Sequence, residues 1–144
     1  KCVGCGRCIG VCPMDAVCPA TDESNDILNC KIAEYSKAVL SGRPHFHISL
    51  VIDVSPNCDC HAENDIPIVP DVGMFASFDP VALDMACADA VNRQPVIAGS
   101  QLDRMPHVHH DHFTDSAPST NWKSCMEHAE KIGIGSREYE LIKI

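Results

Sequence analysis

Four cysteines stand close together near the start of the chain, in the stretch CVGCGRCIGVCP. Cys2, Cys5, Cys8 and Cys12 follow the spacing C-x2-C-x2-C-x3-C, and Pro13 comes directly after the last of them. Thiolates at this spacing can converge on one small inorganic cluster, because the glycines between them let the backbone approach it closely. The spacing therefore predicts that these four cysteines ligate the iron of a [4Fe–4S] cluster.

Zinc is the alternative metal for such a set of thiolates. Structural zinc sites usually bring two C-x2-C pairs together from distant segments, whereas here all four cysteines lie between residues 2 and 12. The run is instead that of bacterial ferredoxins, whose fourth cysteine can serve a different cluster from the first three. We therefore expect one or two [4Fe–4S] clusters, with backbone N–H groups donating hydrogen bonds to the sulfurs.

A second group of potential ligands lies in the acidic stretch NCDCHAENDIPIVPD. No Lys or Arg occurs between Arg43 and Arg93, although eight Asp and Glu residues do. Polar loops beside an α/β sheet often bind ligands, whereas solvated turns and helix caps are the alternative interpretation. The spacing CDCH falls one residue short of the motif that attaches c-type haem, which excludes haem. The candidate residues of this second site are Cys58, Cys60, His61 and Asp71.

The remaining cysteines and one histidine-rich stretch give weaker signals. Cys18 lies singly, and Cys30, Cys87 and Cys125 fall within helical patterns, where a small buried thiol usually has a structural role. The stretch HVHHDH could bind a divalent ion, because imidazole suits zinc, copper and nickel, but such loops also bind these ions adventitiously. Its potential ligands are His107, His109, His110, Asp111 and His112.

Composition limits the kinds of partner. The 144 residues are 45% hydrophobic, enough for one domain with a core. A net charge of -9 argues against nucleic acid and against an anionic membrane surface. No apolar run approaches the roughly 18 residues of a membrane span, and no secretory signal is recognisable. Ten cysteines, spaced for metal rather than for disulfides, favour a reducing, cytoplasmic location.

Apolar periodicity predicts the elements that position these groups. A 3.6-residue period begins at Asp26 and ends near Gly42, with its apolar stripe on one helix face, and residues 46–54 alternate as a strand. Asp79 and Pro80 begin a second helix, and Gly133 ends a third that starts near residue 121. The stretch VGMFAS interrupts a long loop, and residues 137–144 are predicted to form a closing strand.

The order of these elements predicts an α/β fold with an incomplete sheet and flanking helices, preceded by a ferredoxin-like cluster-binding segment. The two parts are residues 1–20 and residues 26–144. Two or three strands are too few for a sheet that carries three helices, and the first residue is Lys rather than Met. We therefore expect this chain to be the C-terminal part of a larger protein, completed by an N-terminal portion or by a partner chain.

Three longer stretches resemble a known family. They are KIAEYSKAVLSGRPHFHIS, SPNCDCHAENDIPIVPDVGMFASFDPVALDMACADAV and GIGSREYELIKI, and together they resemble the ferredoxin-containing branch of the family called domain of unknown function 362. That resemblance implies an N-terminal α/β portion and two consecutive ferredoxin motifs. It also implies that Cys2, Cys5 and Cys8 share a cluster with an upstream cysteine, while Cys12 completes the neighbouring one.

Two functions fit these observations. The first is an iron–sulfur protein that transfers electrons to or from a redox partner protein. The second is a redox enzyme, in which the cluster supplies electrons to a substrate held by the loop that leaves the C-terminal end of the predicted strand. The loop would then line a pocket, and its candidate residues are Cys58, Asp59, Cys60, His61, Glu63 and Asp71. No nucleophile elbow, phosphate loop or dinucleotide fingerprint names a reaction.

Overall fold

The protein is described by a computed structural model that covers residues 7–14, 16–17, 25–58, 63–106 and 109–144. Helices outnumber strands within these ranges, and the arrangement is mixed α/β. In chain order the elements are α1 (Arg7–Gly10), α2 (Asn25–Leu40), β1 (His47–Val51), β2 (Gly73–Ser77), α3 (Pro80–Asn92), a 3-10 turn (Leu102–Arg104), α4 (His112–Ser116) and α5 (Trp122–Lys131).

The two described strands form an antiparallel sheet. His47 lies opposite Ser77 at one end, and Val51 lies opposite Gly73 at the other. In the stretch VGMFAS, expected to interrupt a loop, residues Gly73–Ser77 form a strand because their backbone groups bond to β1. Conversely, the closing strand predicted for residues 137–144 is wrong: that segment forms no strand. An alternating sequence becomes a strand only when a neighbouring segment bonds its backbone groups, and neither described strand pairs with this one.

Helix α3 begins as the sequence predicts. Asp79 is its N-cap, and Oδ1 of that carboxylate accepts hydrogen bonds from the N–H groups of Val81 and Ala82 at 2.9 Å. Pro80 occupies the first turn, where no intrahelical donor is needed. The second carboxylate oxygen accepts from the N–H of Ser136 at 2.8 Å. One side chain therefore caps α3 and also anchors the segment that follows α5.

Helix α5 ends in a Schellman motif. Gly133 has a φ of 77°, and its N–H bonds the Glu130 carbonyl oxygen at 3.0 Å. The N–H of Ile134 reaches the Ala129 carbonyl oxygen, also at 3.0 Å, and the two side chains pack in the same cluster. Both bonds satisfy carbonyls that a helix end leaves without partners. The predicted end of this helix is confirmed.

Two small groups of buried apolar side chains hold the elements together. The first lies between the sheet, α3 and the loops, and consists of Val51, Ile68, Val69, Val91 and Leu102. The second joins α2, α3 and α5, and consists of Ala33, Val81 and Ala129. None of the described helices combines the length and the apolar character that crossing a bilayer requires.

The strand predicted for residues 46–54 forms over a shorter range, and its more apolar face is exposed. Ile48 and Leu50 stand on the exposed side of β1, whereas His47 and Ser49 are half-buried. Ser49 lies on the side of α3, where it is hydrogen-bonded to Cys87. The predicted alternation is therefore present, but the described elements bury its polar side.

Candidate functional site

Within the described part of the cysteine-rich segment, residues Arg7–Gly10 form one helical turn. Cys8 lies within α1, and Cys12 follows it, with the N–H of Cys12 bonded to the Ile9 carbonyl oxygen at 3.3 Å. Cys8 is exposed, Cys12 is half-buried, and neither forms a disulfide. Cys2 and Cys5 lie outside the described residues. Local backbone geometry thus places two of the four predicted ligands about one turn apart.

The surroundings of Cys12 favour its thiolate. Hydrogen bonds from the backbone N–H groups of Met14 and Ala16 lower the pKa of this thiol, and a further one from Val17 adds to them. Slight desolvation acts in the opposite direction and does not reverse the effect. A lowered thiol pKa matters chemically, because the thiolate is the form that ligates metal.

The loop proposed as a second site is only partly described. Cys60, His61 and Asp59 lie outside the described residues, so the substrate or metal site there stays a prediction. Cys58 is exposed and outside any disulfide. Asp71 accepts a hydrogen bond on Oδ1 from the N–H of Asp53 at 2.9 Å. It thereby supports the left-handed backbone of Asp53, whose φ is 49°.

An asparagine pair joins the two ends of that loop. Asn64 Oδ1 accepts from the N–H of Asn57 at 3.3 Å, and Asn64 Nδ2 donates to Ser55 Oγ at 3.0 Å. Neither asparagine is among the predicted ligands, although Asn is typical of turns because its side chain can replace backbone partners. The loop does leave β1 at its C-terminal end, as expected.

A large apolar groove lies elsewhere, between α2, α3 and α5. Its volume is about 740 Å³, and it contains none of the residues predicted for the two sites. The apolar stripe of α2 forms one wall, and Val81 and Met126 belong to the other. Asp84 and His47 also line the groove; desolvation by nearby atoms raises the pKa of Asp84 against the lowering effect of His47, although Asp84 itself is exposed to solvent.

Asp111, in the histidine-rich stretch, is engaged in structural contacts. It caps α4 and forms an ion pair with Lys123, whose Nζ lies 2.9 Å from Oδ2. His112 Nε2 lies 3.0 Å from the Gln94 carbonyl oxygen. His107 is outside the described residues. Among the residues that the structure does describe, no group of three or more His, Cys, Asp and Glu is arranged to hold a metal ion.

The helical cysteines occupy packing positions. Burial raises the pKa of Cys87, against a hydrogen bond from Ser49, and Cys87 packs on the first core group. Burial likewise raises the pKa of Cys125, and electrostatic interactions with Asp84 and Cys30 act in the same direction. Raised values keep both thiols protonated, which makes them poor nucleophiles and poor ligands. The geometry agrees with the structural role expected for them.

Comparison with known proteins identifies a family. No curated protein and no solved structure matches the chain. The family model described as Domain of unknown function (DUF362) matches residues 5–89, which are more than half of the chain. The matched range includes Cys5, Cys8 and Cys12 and extends through both strands into α3. The chain therefore belongs to the DUF362 family.

Proposed function

We propose that this chain is an iron–sulfur protein of the ferredoxin-containing branch of its family, and that it acts in electron transfer. The observation that carries the proposal is the C-x2-C-x2-C-x3-C-P spacing of Cys2, Cys5, Cys8 and Cys12. When bound, a [4Fe–4S] cluster supplies one-electron transfer at a potential that its protein surroundings adjust. A redox partner protein in a reducing compartment would exchange the electron.

The described residues of the motif fit this group. Cys8 and Cys12 are free thiols about one helical turn apart, and three backbone N–H groups stabilise negative charge on the Cys12 sulfur. Hydrogen bonds of this kind also hold a ligand sulfur in place and influence the reduction potential. The exposed residues Arg7–Gly10 leave the segment open to a partner protein. Electron transfer between two proteins requires that the partner can come close to the cluster.

Anaerobic reconstitution tests the proposal. The 144-residue chain is incubated with iron and sulfide, and bound iron, sulfide and zinc are measured together with the electron paramagnetic resonance spectrum after reduction. We expect iron and sulfide in equal amounts and a spectrum from a reduced cluster. Cys8→Ser should lose most of the bound iron, because the hydroxyl is a poor ligand for it. Cys125→Ser is the matched control and should keep the iron, since that thiol packs between helices.

Two results would contradict the proposal. One is stoichiometric zinc without sulfide in the purified chain. The other is equal iron content in the Cys8 and Cys125 variants, which would separate iron binding from the motif. The enzyme function, with a substrate near Cys58–Asp71, stays a second prediction. Its test is Cys60→Ser, which should leave the iron content unchanged and abolish ligand binding at the loop.

A further inference from the structure

One face of the two-stranded sheet is apolar and exposed. We call it the outer sheet face; its large side chains are between 44% and 74% exposed, and Ala76 is exposed as well. The opposite face packs on α3. On the outer face, Ile48 lies opposite Ala76 and Leu50 opposite Met74. The residues of this face are Phe46, Ile48, Leu50, Ile52, Met74, Ala76 and Phe78.

The outer sheet face is an ordered surface. Phe46 and Phe78 meet edge to face with ring centroids 4.9 Å apart, a geometry that aromatic pairs prefer. The ladder between β1 and β2 fixes Ile48, Leu50, Met74 and Ala76 in register. A ligand would therefore meet a preformed surface, and binding would not have to pay for ordering the strands.

The area of this face corresponds to a protein interface. At about 200 Å² for a fully exposed large apolar side chain, its six large residues expose roughly 700 Å². The largest apolar patch of a typical monomer is about 300–600 Å², and a stable interface buries about 800 Å² on each partner. The outer sheet face alone therefore nearly supplies the area of one side of an interface.

The shape of the face matches one α-helix. Two strands are about 10 Å wide, and five residues extend for about 17 Å, whereas a helix with its side chains is about 10–12 Å across. A helix of about eleven residues would cover the length. With α3 on the inner face, a helix on the outer face would complete the layered order of helix, sheet and helix that α/β proteins adopt.

Negative charge at one end of the outer sheet face favours a basic partner. Asp53 and Asp71 are exposed where β1 ends and β2 begins, and no Lys or Arg occurs between Arg43 and Arg93, the window that contains both strands. A second copy of this chain would bring another net charge of -9 to the same place. A helix with cationic flanks would instead be attracted, and its apolar stripe would cover the centre.

We propose that the outer sheet face binds an amphipathic α-helix of a partner polypeptide, with an apolar stripe about three turns long. Lys or Arg residues on that helix lie at the end of the face marked by Asp53 and Asp71. The interaction is independent of the iron–sulfur proposal, because none of the predicted cluster ligands belongs to this face.

A designed peptide tests this inference. The probe is a fluorescein-labelled helical peptide of 14 residues with leucine at positions i, i+4, i+7 and i+11 and lysine on the flanks, and its binding to the 144-residue chain is followed by anisotropy. Leu50→Asp, at the centre of the face, should weaken binding at least tenfold. Tyr35→Asp is the matched control, because it removes a large side chain of α2 that is 75% exposed, against 63% for Leu50, and adds the same charge; it should leave binding within twofold.

The role of the acidic end of the outer sheet face is tested separately. Asp71→Asn keeps an acceptor for the N–H of Asp53 and removes the charge, so binding should weaken severalfold and become less sensitive to salt. A peptide with glutamate flanks should bind more weakly than the lysine peptide to the unchanged chain. Circular dichroism checks that the variants keep their fold. If Leu50→Asp does not fold, Met74→Asp replaces it, since Met74 lies on the same face.

Three outcomes would overturn the inference. The first is no measurable binding of the lysine peptide. The second is equal weakening by Leu50→Asp and Tyr35→Asp, which would mean attraction to the acidic chain without a docking surface. The third is a dimer of the chain in analytical ultracentrifugation that Leu50→Asp dissociates, which would make a second copy the occupant.

Discussion

Asp111 offers a sharp test of how α4 and α5 are held together. Asp111 is only 4% exposed. Oδ1 accepts from the N–H groups of Phe113 at 3.1 Å and Thr114 at 3.3 Å, and Oδ2 accepts from Trp122 Nε1 at 3.1 Å. Lys123 Nζ lies 2.9 Å from Oδ2. Replacing Asp111 by alanine would therefore remove a helix cap, a side-chain hydrogen bond and an ion pair together.

The expected loss of stability follows from these contacts. Removal of an N-cap costs about 1 kcal/mol, and leaving the Trp122 donor without its acceptor costs about 1–3 kcal/mol. The Lys123 pair adds little, because the lysine side chain is 59% exposed. We expect a decrease of about 3 kcal/mol in the free energy of unfolding. With a urea dependence of about 2 kcal/mol per molar, the midpoint should fall by roughly 1.5 M.

The assay uses the single tryptophan of the chain, which donates to the carboxylate in question. Urea unfolding is followed by the fluorescence of Trp122 at pH 7. Asp111→Asn should lose less than Asp111→Ala, because an amide oxygen can still cap α4. Glu138→Ala removes an exposed carboxylate and serves as the control, with an expected change under about 0.5 kcal/mol.

The Asp111 carboxylate should also make the free energy of unfolding depend on pH in the acidic range. Burial raises the pKa of Asp111, but hydrogen bonds from Lys123, Thr114 and Trp122 outweigh it, so the pKa lies below its ordinary value. The contribution of Asp111 to the free energy of unfolding is therefore fully present above the pKa that this carboxyl has in the unfolded chain. It is lost as the pH falls through the pKa of the same carboxyl in the folded protein. Asp111→Asn should remove this part of the acid dependence. An unchanged midpoint in the alanine variant at pH 7 would refute the reasoning.

Other contacts give further expected outcomes. A Cβ at Gly135 would stand 2.6 Å from Asp79 Cγ, so Gly135→Ala should lower the free energy of unfolding by about 1–3 kcal/mol in calorimetry, and by less in an Asp79→Ala background. Gly133→Ala should cost about 1 kcal/mol in the same measurement, because φ there is 77°. Tyr139 donates to Asp89 at 2.6 Å, which raises the pKa of the phenol. Its contribution is present below the unfolded pKa and lost as pH rises through the folded pKa, so Tyr139→Phe should flatten the alkaline limb of the stability profile.

Features set by neighbours along the chain were predictable from the sequence. Asp79 and Pro80 begin α3, and Gly133 ends α5, because caps depend on a few consecutive residues and their dihedral angles. The stripe of α2 was also predictable from its period, although the period does not tell what covers it.

Features set by distant segments were decided only by the tertiary structure. Gly73–Ser77 form a strand because β1 lies beside them, whereas residues 137–144, with a similar alternation, pair with none of the described strands. Asp111 looked like a metal ligand beside histidines, but Trp122 and Lys123 approach it from α5. The alternation of apolar and polar residues predicted where β1 lies. It could not predict which face of β1 is covered by α3, because sheet register and helix packing depend on contacts between residues far apart in the chain.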